Sequence, residues 1–212
     1  MEKYKGVWIR EESMDKYVVD EVQASYRLLE VNEKDTILDV GANIGAFSKL
    51  ACEQGAKLVV GYEPFPDNVK LAKKNAPKAH IVEAALISGK EKTITFYVNV
   101  RGINHGAHSS VPTRGREMMS VPAENFASVL KEVRPNKIKM DCEGAEYDLL
   151  VDKPLPTFVK RIALELHLNK KDHRESARTL HQQMLNQGFK CLKDPTPSFE
   201  TKAWHAIGVY SR

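Results

Sequence analysis

The chain is poor in cysteine: Cys52, Cys142 and Cys191 are all it has in 212 residues, and they form neither a Cys-x-x-Cys pair nor an even framework. That argues against a disulfide-stapled scaffold and suits a reducing compartment. Long apolar runs are absent too. None approaches the ~18 residues of a membrane span, and residues 1–12 hold no apolar stretch that would act as a signal peptide. Nor does one sign of charge dominate. Lys and Arg number 32 against 28 Asp and Glu, a net charge of +4. There is no basic run and no Arg/aromatic interleaving of the kind that binds nucleic acid. Hydrophobic residues make up 42% and charged residues 28%, proportions that exclude disordered and fibrous classes. The expectation is a soluble, cytoplasmic protein with one domain over residues 1–212, since ~100–200 residues per domain is usual.

Against that background, short strand-like runs alternate with amphipathic stretches. Residues 36–40, 58–62, 80–82, 137–140 and 161–166 read as buried strands, and 93–100 as an exposed, alternating one. Helical spacing recurs at 14–29, 45–54, 66–75, 123–133 and 175–186, with a short helix from Gly144; Pro66 sits in the first turn of its helix. Residues 189–192 and 204–210 are strand-like with no helix between them, so one strand there should run antiparallel. The pattern predicts an α/β fold, doubly wound, mostly parallel, with one antiparallel strand near the C-terminus, preceded by a helical extension over residues 1–34. Residues 101–122 break the pattern with three glycines, two prolines, three serines and two histidines. A segment of this kind reads as an active-site loop that closes over bound ligands. His105, His108, Ser109 and Ser110 are its candidate acceptor contacts, and Arg101, Arg114 and Arg116 favour an anionic or sugar-phosphate group.

In such sheets ligands bind beyond the carboxyl ends of the strands. The first strand-to-helix turn reads Asp39-Val40-Gly41-Ala42-Asn43-Ile44-Gly45. Gly41 permits the sharp turn, and Gly45 permits close approach of the helix start. Glu63 stands 22 residues after Gly41, at the end of the second strand, where an acid accepts both ribose hydroxyls of a nucleoside. A dinucleotide site needs Gly-x-Gly-x-x-Gly, but Asn43 and Ala46 replace two of those glycines. A carboxylate beside the turn also repels a pyrophosphate. S-adenosylmethionine carries an ammonium and a sulfonium and no phosphate, so charge complementarity favours it over a nicotinamide cofactor.

At this point the sequence resembles the FkbM family of class I methyltransferases. The resemblance rests on Ile37 through Gly45, on Tyr62-Glu63-Pro64-Phe65-Pro66-Asp67-Asn68, on Glu83-Ala84-Ala85-Leu86, and on Ile138-Lys139-Met140-Asp141-Cys142-Glu143-Gly144-Ala145-Glu146. It implies a seven-stranded Rossmann-like sheet, bound S-adenosyl-L-methionine, and methyl transfer to a hydroxyl oxygen. By that pattern Asp39, Gly41, Ala42, Asn43 and Gly45 hold the methionine end, Glu63 the ribose, and Glu83, Ala84 and Ala85 border the adenine. Ser48, Pro64, Asn68 and Asp141 complete the expected cofactor contacts. Residues 1–34 and 101–122 carry no part of the resemblance, so the acceptor is not implied beyond a small-molecule or sugar-like compound.

The remaining chemistry gathers on two strand ends. Asp141 and Glu143 follow the fourth strand, and they can offset the sulfonium charge and take a proton from an acceptor hydroxyl. Asp141 is the first candidate base, with His167 in reserve; Glu146 reads as a helix-start acid. Glu165 and His167 share one face of a strand that should be apolar on both, which points to the crevice and makes Glu165 an acceptor contact. With Asp141 they could also hold a divalent metal, although no spacing demands one and none is assigned. No Asp/Asn-Pro-Pro-aromatic tetrapeptide of amino-methylating relatives follows the fourth strand, and Cys142 lies between two acids that raise a thiol pKa. An oxygen acceptor stands by elimination. A non-catalytic nucleoside-binding module, and methylation of a nucleotide or nucleic-acid hydroxyl, are the competing readings.

Overall fold

The computed structural model describes residues 1–98 and 117–212. Its centre is a seven-stranded sheet built from β3 (Thr36–Val40), β4 (Leu58–Tyr62), β5 (His80–Val82), β9 (Lys137–Met140), β10 (Arg161–His167), β11 (Lys190–Lys193) and β12 (His205–Ser211). The spatial order is β11-β12-β10-β9-β3-β4-β5. β3 pairs in parallel with β4 and β9, and β9 with β10, whereas β12 runs antiparallel to both β10 and β11. Order reverses at β3, so its carboxyl end and that of β9 frame the crevice where ligands bind in such sheets.

Alternation along the strands builds two cores. On β3, Leu38 and Val40 face one core and Ile37 the other, all at most 2% exposed. α3 (Pro66–Asn75) starts on Pro66, carries Asp67 in its first turn and Lys73 and Lys74 in its last, and buries Val69, Leu71 and Ala72. α6 (Lys171–Asn186) packs Ala177, Leu180 and Met184 into the first core.

Three expectations change. The first eight or nine residues are not helical: β1 (Glu2–Tyr4) and β2 (Val7–Ile9) form a hairpin through Lys5 and Gly6, both at positive φ. Three-residue strands are too short to show a period. Only then comes α1 (Asp15–Ser25), followed by a 3-10 turn at Arg27–Leu29. Second, residues 117–122 are not loop. They belong to β8 (Glu117–Asn125), which lies between β6 (Ala85–Ile87) and β7 (Thr93–Val98) in a separate three-stranded sheet. Third, the following helix, α4 (Phe126–Val133), begins after Asn125, whose side chain accepts the Ser128 N–H at 3.0 Å. Residues 123–125, expected in the helix, end β8 instead. Arg101, His105, His108, Ser109, Ser110, Arg114 and Arg116 lie outside the described residues. Among the described residues no helix is long and apolar enough to cross a membrane.

At the amino ends of β3 and β9, Asp35 accepts from Lys137 Nζ at 2.8 Å, Asn136 Nδ2 at 2.7 Å and the Asn32 N–H at 2.7 Å. Burial alone would raise the carboxyl, but these donors outweigh it and hold it below the usual range. A folded-state pKa below the unfolded value stabilises above the unfolded pKa of about 3.9, and that contribution is lost as pH falls through the folded value. Asp35→Asn should therefore lower the urea midpoint at pH 7, with the gap to the parent closing below pH ~4. An equal gap at pH 7 and pH ~2 would contradict the assignment.

Candidate functional site

Gly41 closes β3, and the N–H groups of Gly41 and Ala42 donate to the Tyr62 carbonyl at 3.0 and 2.9 Å. This ties the turn to the end of β4. Asn43 takes a positive φ, and its N–H donates to Glu63 Oε2 at 2.8 Å. Glu63 Oε1 accepts the Phe65 N–H at 2.9 Å and Asn68 Nδ2 at 3.4 Å. Burial raises the Glu63 carboxyl above its usual range, and these donors offset only part of that. Asn68 is itself held from the N-terminal segment, since Arg10 Nη2 donates to its Oδ1 at 2.9 Å and forks onto Asp15.

The crevice beside this turn spans about 640 Å³, part of it open to solvent. Among the expected cofactor contacts, Gly41, Asn43, Glu63, Pro64, Asn68, Ala84, Ala85 and Asp141 line it, together with Glu143. Asp39, Ala42, Gly45, Ser48 and Glu83 do not. Asp39 is fully buried and accepts from Ser48 Oγ at 2.7 Å, so these two side chains brace the turn from beneath. Glu83 points out to solvent. Tyr62, Leu86 and Phe96 supply apolar wall. The charged side chains of the lining are Glu63, Asp141 and Glu143, with no Lys or Arg among the described residues. Such a wall suits a cationic ligand without phosphate.

On the side of the sheet covered by α1, charged residues follow one another at the strand ends. Lys139, 3% exposed, donates from Nζ to the Gly41 carbonyl at 2.7 Å and lies 3.4 Å from Asp39 Oδ1 and 3.6 Å from Asp141 Oδ2. Burial opposes its charge, but Asp39, Asp141 and Glu165 outweigh burial and raise its pKa. Asp141, a quarter exposed, has its carboxyl pushed well up by burial and by Glu165, against the pull of Lys139 and His167. His167 Nδ1 lies 3.1 Å from Glu146 Oε1. Burial would lower this imidazole, but Glu146, Glu143 and Asp141 prevail and raise it to about 10. It is therefore protonated at neutral pH. Glu165 is hydrogen-bonded to His205 and accepts from Tyr26 Oη at 3.4 Å. Burial opposes its ionisation, yet the two histidines hold its carboxyl below the usual range. Burial, Glu146 and Asp141 push the Cys142 thiol far up.

Asp141, Glu143, Glu165 and His167 are thus brought together, but Glu165 and His167, expected to face the crevice, are buried and are not among its lining residues. Three contributors were not expected from the sequence. Glu146 reads as a helix-start acid, yet it is fully buried and accepts the N–H groups of both Gly144 and His167 at 2.9 Å. Its signal was its place in the Lys-x-Asp-x-Glu-Gly-Ala-Glu block. Lys139 had the same signal. Tyr26 had none, because its partner lies 139 residues away.

A family model described as the methyltransferase FkbM domain matches residues 39–191, more than half of the chain. Among curated proteins none matches. Among solved structures, a precorrin-6y C5,15-methyltransferase from Geobacter metallireducens is 13% identical, with TM-score 0.50 over 98% of this chain and 94% of that one. A ribosomal protein L11 methylase from Lactobacillus delbrueckii subsp. bulgaricus is 14% identical, with TM-score 0.51 over 100% of this chain and 90% of that one. At such identities the likeness concerns the fold. The acidic, phosphate-averse crevice at the switch point of the sheet agrees with the family match, and this chain belongs to the FkbM methyltransferase family, with S-adenosyl-L-methionine as its cofactor.

Proposed function

We propose that the chain transfers a methyl group from S-adenosyl-L-methionine to a hydroxyl oxygen of a polar acceptor, sugar-like or a small metabolite. The observation that carries this reading is the pair of carboxylates, Asp141 and Glu143, on the crevice wall and within 4.0 Å of the buried His167 imidazole. A hydroxyl must lose a proton as its oxygen is methylated, and these carboxylates are the groups placed to receive it. His167 cannot accept one at neutral pH and instead stabilises their charge. Cys142, pushed up by burial and two acids, offers no thiolate for a covalent route.

The cofactor, when bound, supplies a methyl group on a sulfonium. Glu63 holds its ribose, the Gly41–Asn43 turn the amino-acid end, and Ala84 and Ala85 the adenine. The chain's further contribution is positioning and a fixed acidic field. Glu63→Ala should weaken donor binding by about 1–3 kcal/mol in calorimetry, the cost of stranding hydrogen-bonding groups; an unchanged affinity would remove Glu63 from the ribose. The reaction itself is tested with a panel of hydroxyl and amine acceptors and labelled donor. Release of S-adenosylhomocysteine that requires a hydroxyl is expected. Turnover confined to amines would overturn the oxygen assignment.

A further inference from the structure

The carboxyl ends of β9 and β10 hold more ligating groups than proton transfer needs. Asp141, Glu165 and His167 each place one ligand atom within 4.8 Å of the others. His167 Nε2 has no hydrogen-bond partner among the described residues, although the side chain is nine-tenths buried. Its nearest oxygens are Glu143 Oε2 at 3.6 Å and Asp141 Oδ1 and Glu165 Oε1, each at 4.0 Å. A buried ring nitrogen is aimed into a space ringed by carboxylate oxygens.

We infer that Asp141 Oδ1, Glu165 Oε1 and His167 Nε2 form a binding site for one divalent first-row cation of the Mn²⁺ type. The ligands are one nitrogen and two carboxylate oxygens, a mixture that suits such ions. At ligand distances of about 2.0–2.2 Å, neighbouring ligands in an octahedron lie about 3 Å apart. The 4.0 Å separations must close by about 1 Å to reach that spacing.

Each ligand is also oriented by an outer partner on its other side, the arrangement that protein metal sites use. Glu146 Oε1 holds His167 Nδ1 at 3.1 Å and leaves Nε2 to the ion. Lys139 Nζ lies 3.6 Å from Asp141 Oδ2, so Oδ1 is the oxygen left over. Tyr26 Oη donates to Glu165 Oε2 at 3.4 Å, while His205 bonds Oε1, which keeps a second lone pair. Coordination releases the Nε2 proton to solvent. The role for the ion is to hold the acceptor oxygen and make its hydroxyl more acidic. Asp141 is then a ligand, and Glu143 is the carboxylate left to take the proton.

This inference deepens the oxygen-acceptor reading, but its test uses neither donor nor acceptor. Chelator-treated protein is titrated with Mn²⁺ at fixed neutral pH, and free Mn²⁺ is read by electron paramagnetic resonance. Saturation at one ion per chain is expected. Asp141→Asn, at the crevice mouth, should weaken binding at least ~10-fold with the melting temperature kept, and Glu146→Gln should weaken it ~10–100-fold through His167. Exposed Glu53→Gln should leave it unchanged. No site at millimolar Mn²⁺, or equal binding by the parent and Asp141→Asn, overturns the cation and leaves methyl transfer standing. A bound ion in a protein that methylates only amines overturns the oxygen reading alone.

Discussion

Replacing Lys139 by Met should lower stability by about 3–5 kcal/mol, the usual cost of leaving buried charge without its partner. In a domain of this size that corresponds to a drop of roughly 6–20 °C in melting temperature. The substitution keeps an unbranched side chain as far as the ε position and removes the ammonium that serves three acceptors. Asp39, fully buried, would keep only the Ser48 hydroxyl on Oδ2, and its Oδ1, which accepts no hydrogen bond among the described residues, would lose the Lys139 ammonium 3.4 Å away. The Gly41 carbonyl would lose its 2.7 Å donor, so the crevice turn should loosen and donor binding should fall with stability. Adding Asp39→Asn removes the stranded charge. The double variant should therefore be more stable than Lys139→Met alone, a non-additivity readable in a thermodynamic cycle. A Lys139→Met protein that melts with the parent would show that the buried ammonium does not hold this end of the sheet together.

Gly41→Ala should be at least as damaging, for a different reason. Gly41 sits at φ +76°, and a Cβ there would stand 1.7 Å from the Asp141 carbonyl oxygen and 2.8 Å from its carbon. Those atoms are backbone, so no rotamer relieves the overlap. The β3 turn would have to part from the β9 turn, separating the two walls that carry Asn43 and Asp141. Donor binding should be abolished in calorimetry even where the variant remains folded by circular dichroism. Gly55→Ala is the control: φ there is +87°, but nothing lies within 4 Å of the added methyl. It should lose only the ~1–2 kcal/mol of a left-handed conformation and keep its affinity for the donor. Equal effects at the two positions would mean that conformational strain, not close packing of the two turns, governs the crevice.

Much of the sheet was legible because its strands are short, apolar and bounded by turn residues. Thr36–Val40, Leu58–Tyr62, His80–Val82 and Lys137–Met140 stand where their runs predicted. β8 was illegible for a physical reason. Only Val121 and Ala123 of its nine residues are buried, and Pro122 and Glu117 are poor strand formers. Its pairing with β6 and β7 outweighs that local preference.

Local spacing is enough to place the Gly41 turn, the Glu63 carboxylate at the end of the next strand, and the unusual pair Glu165 and His167 on one strand face. Tertiary structure alone decided what those groups contact. Residues 15–29, which carry no part of the family resemblance, cover the charged face of the sheet and bring Tyr26 to Glu165 across 139 positions. Glu146 ties the turn after β9 to His167, and Lys139 reaches back 98 positions to the Gly41 carbonyl. Buried charge is tolerated only when paired, and here the partners come from separate elements that the local sequence pattern does not connect.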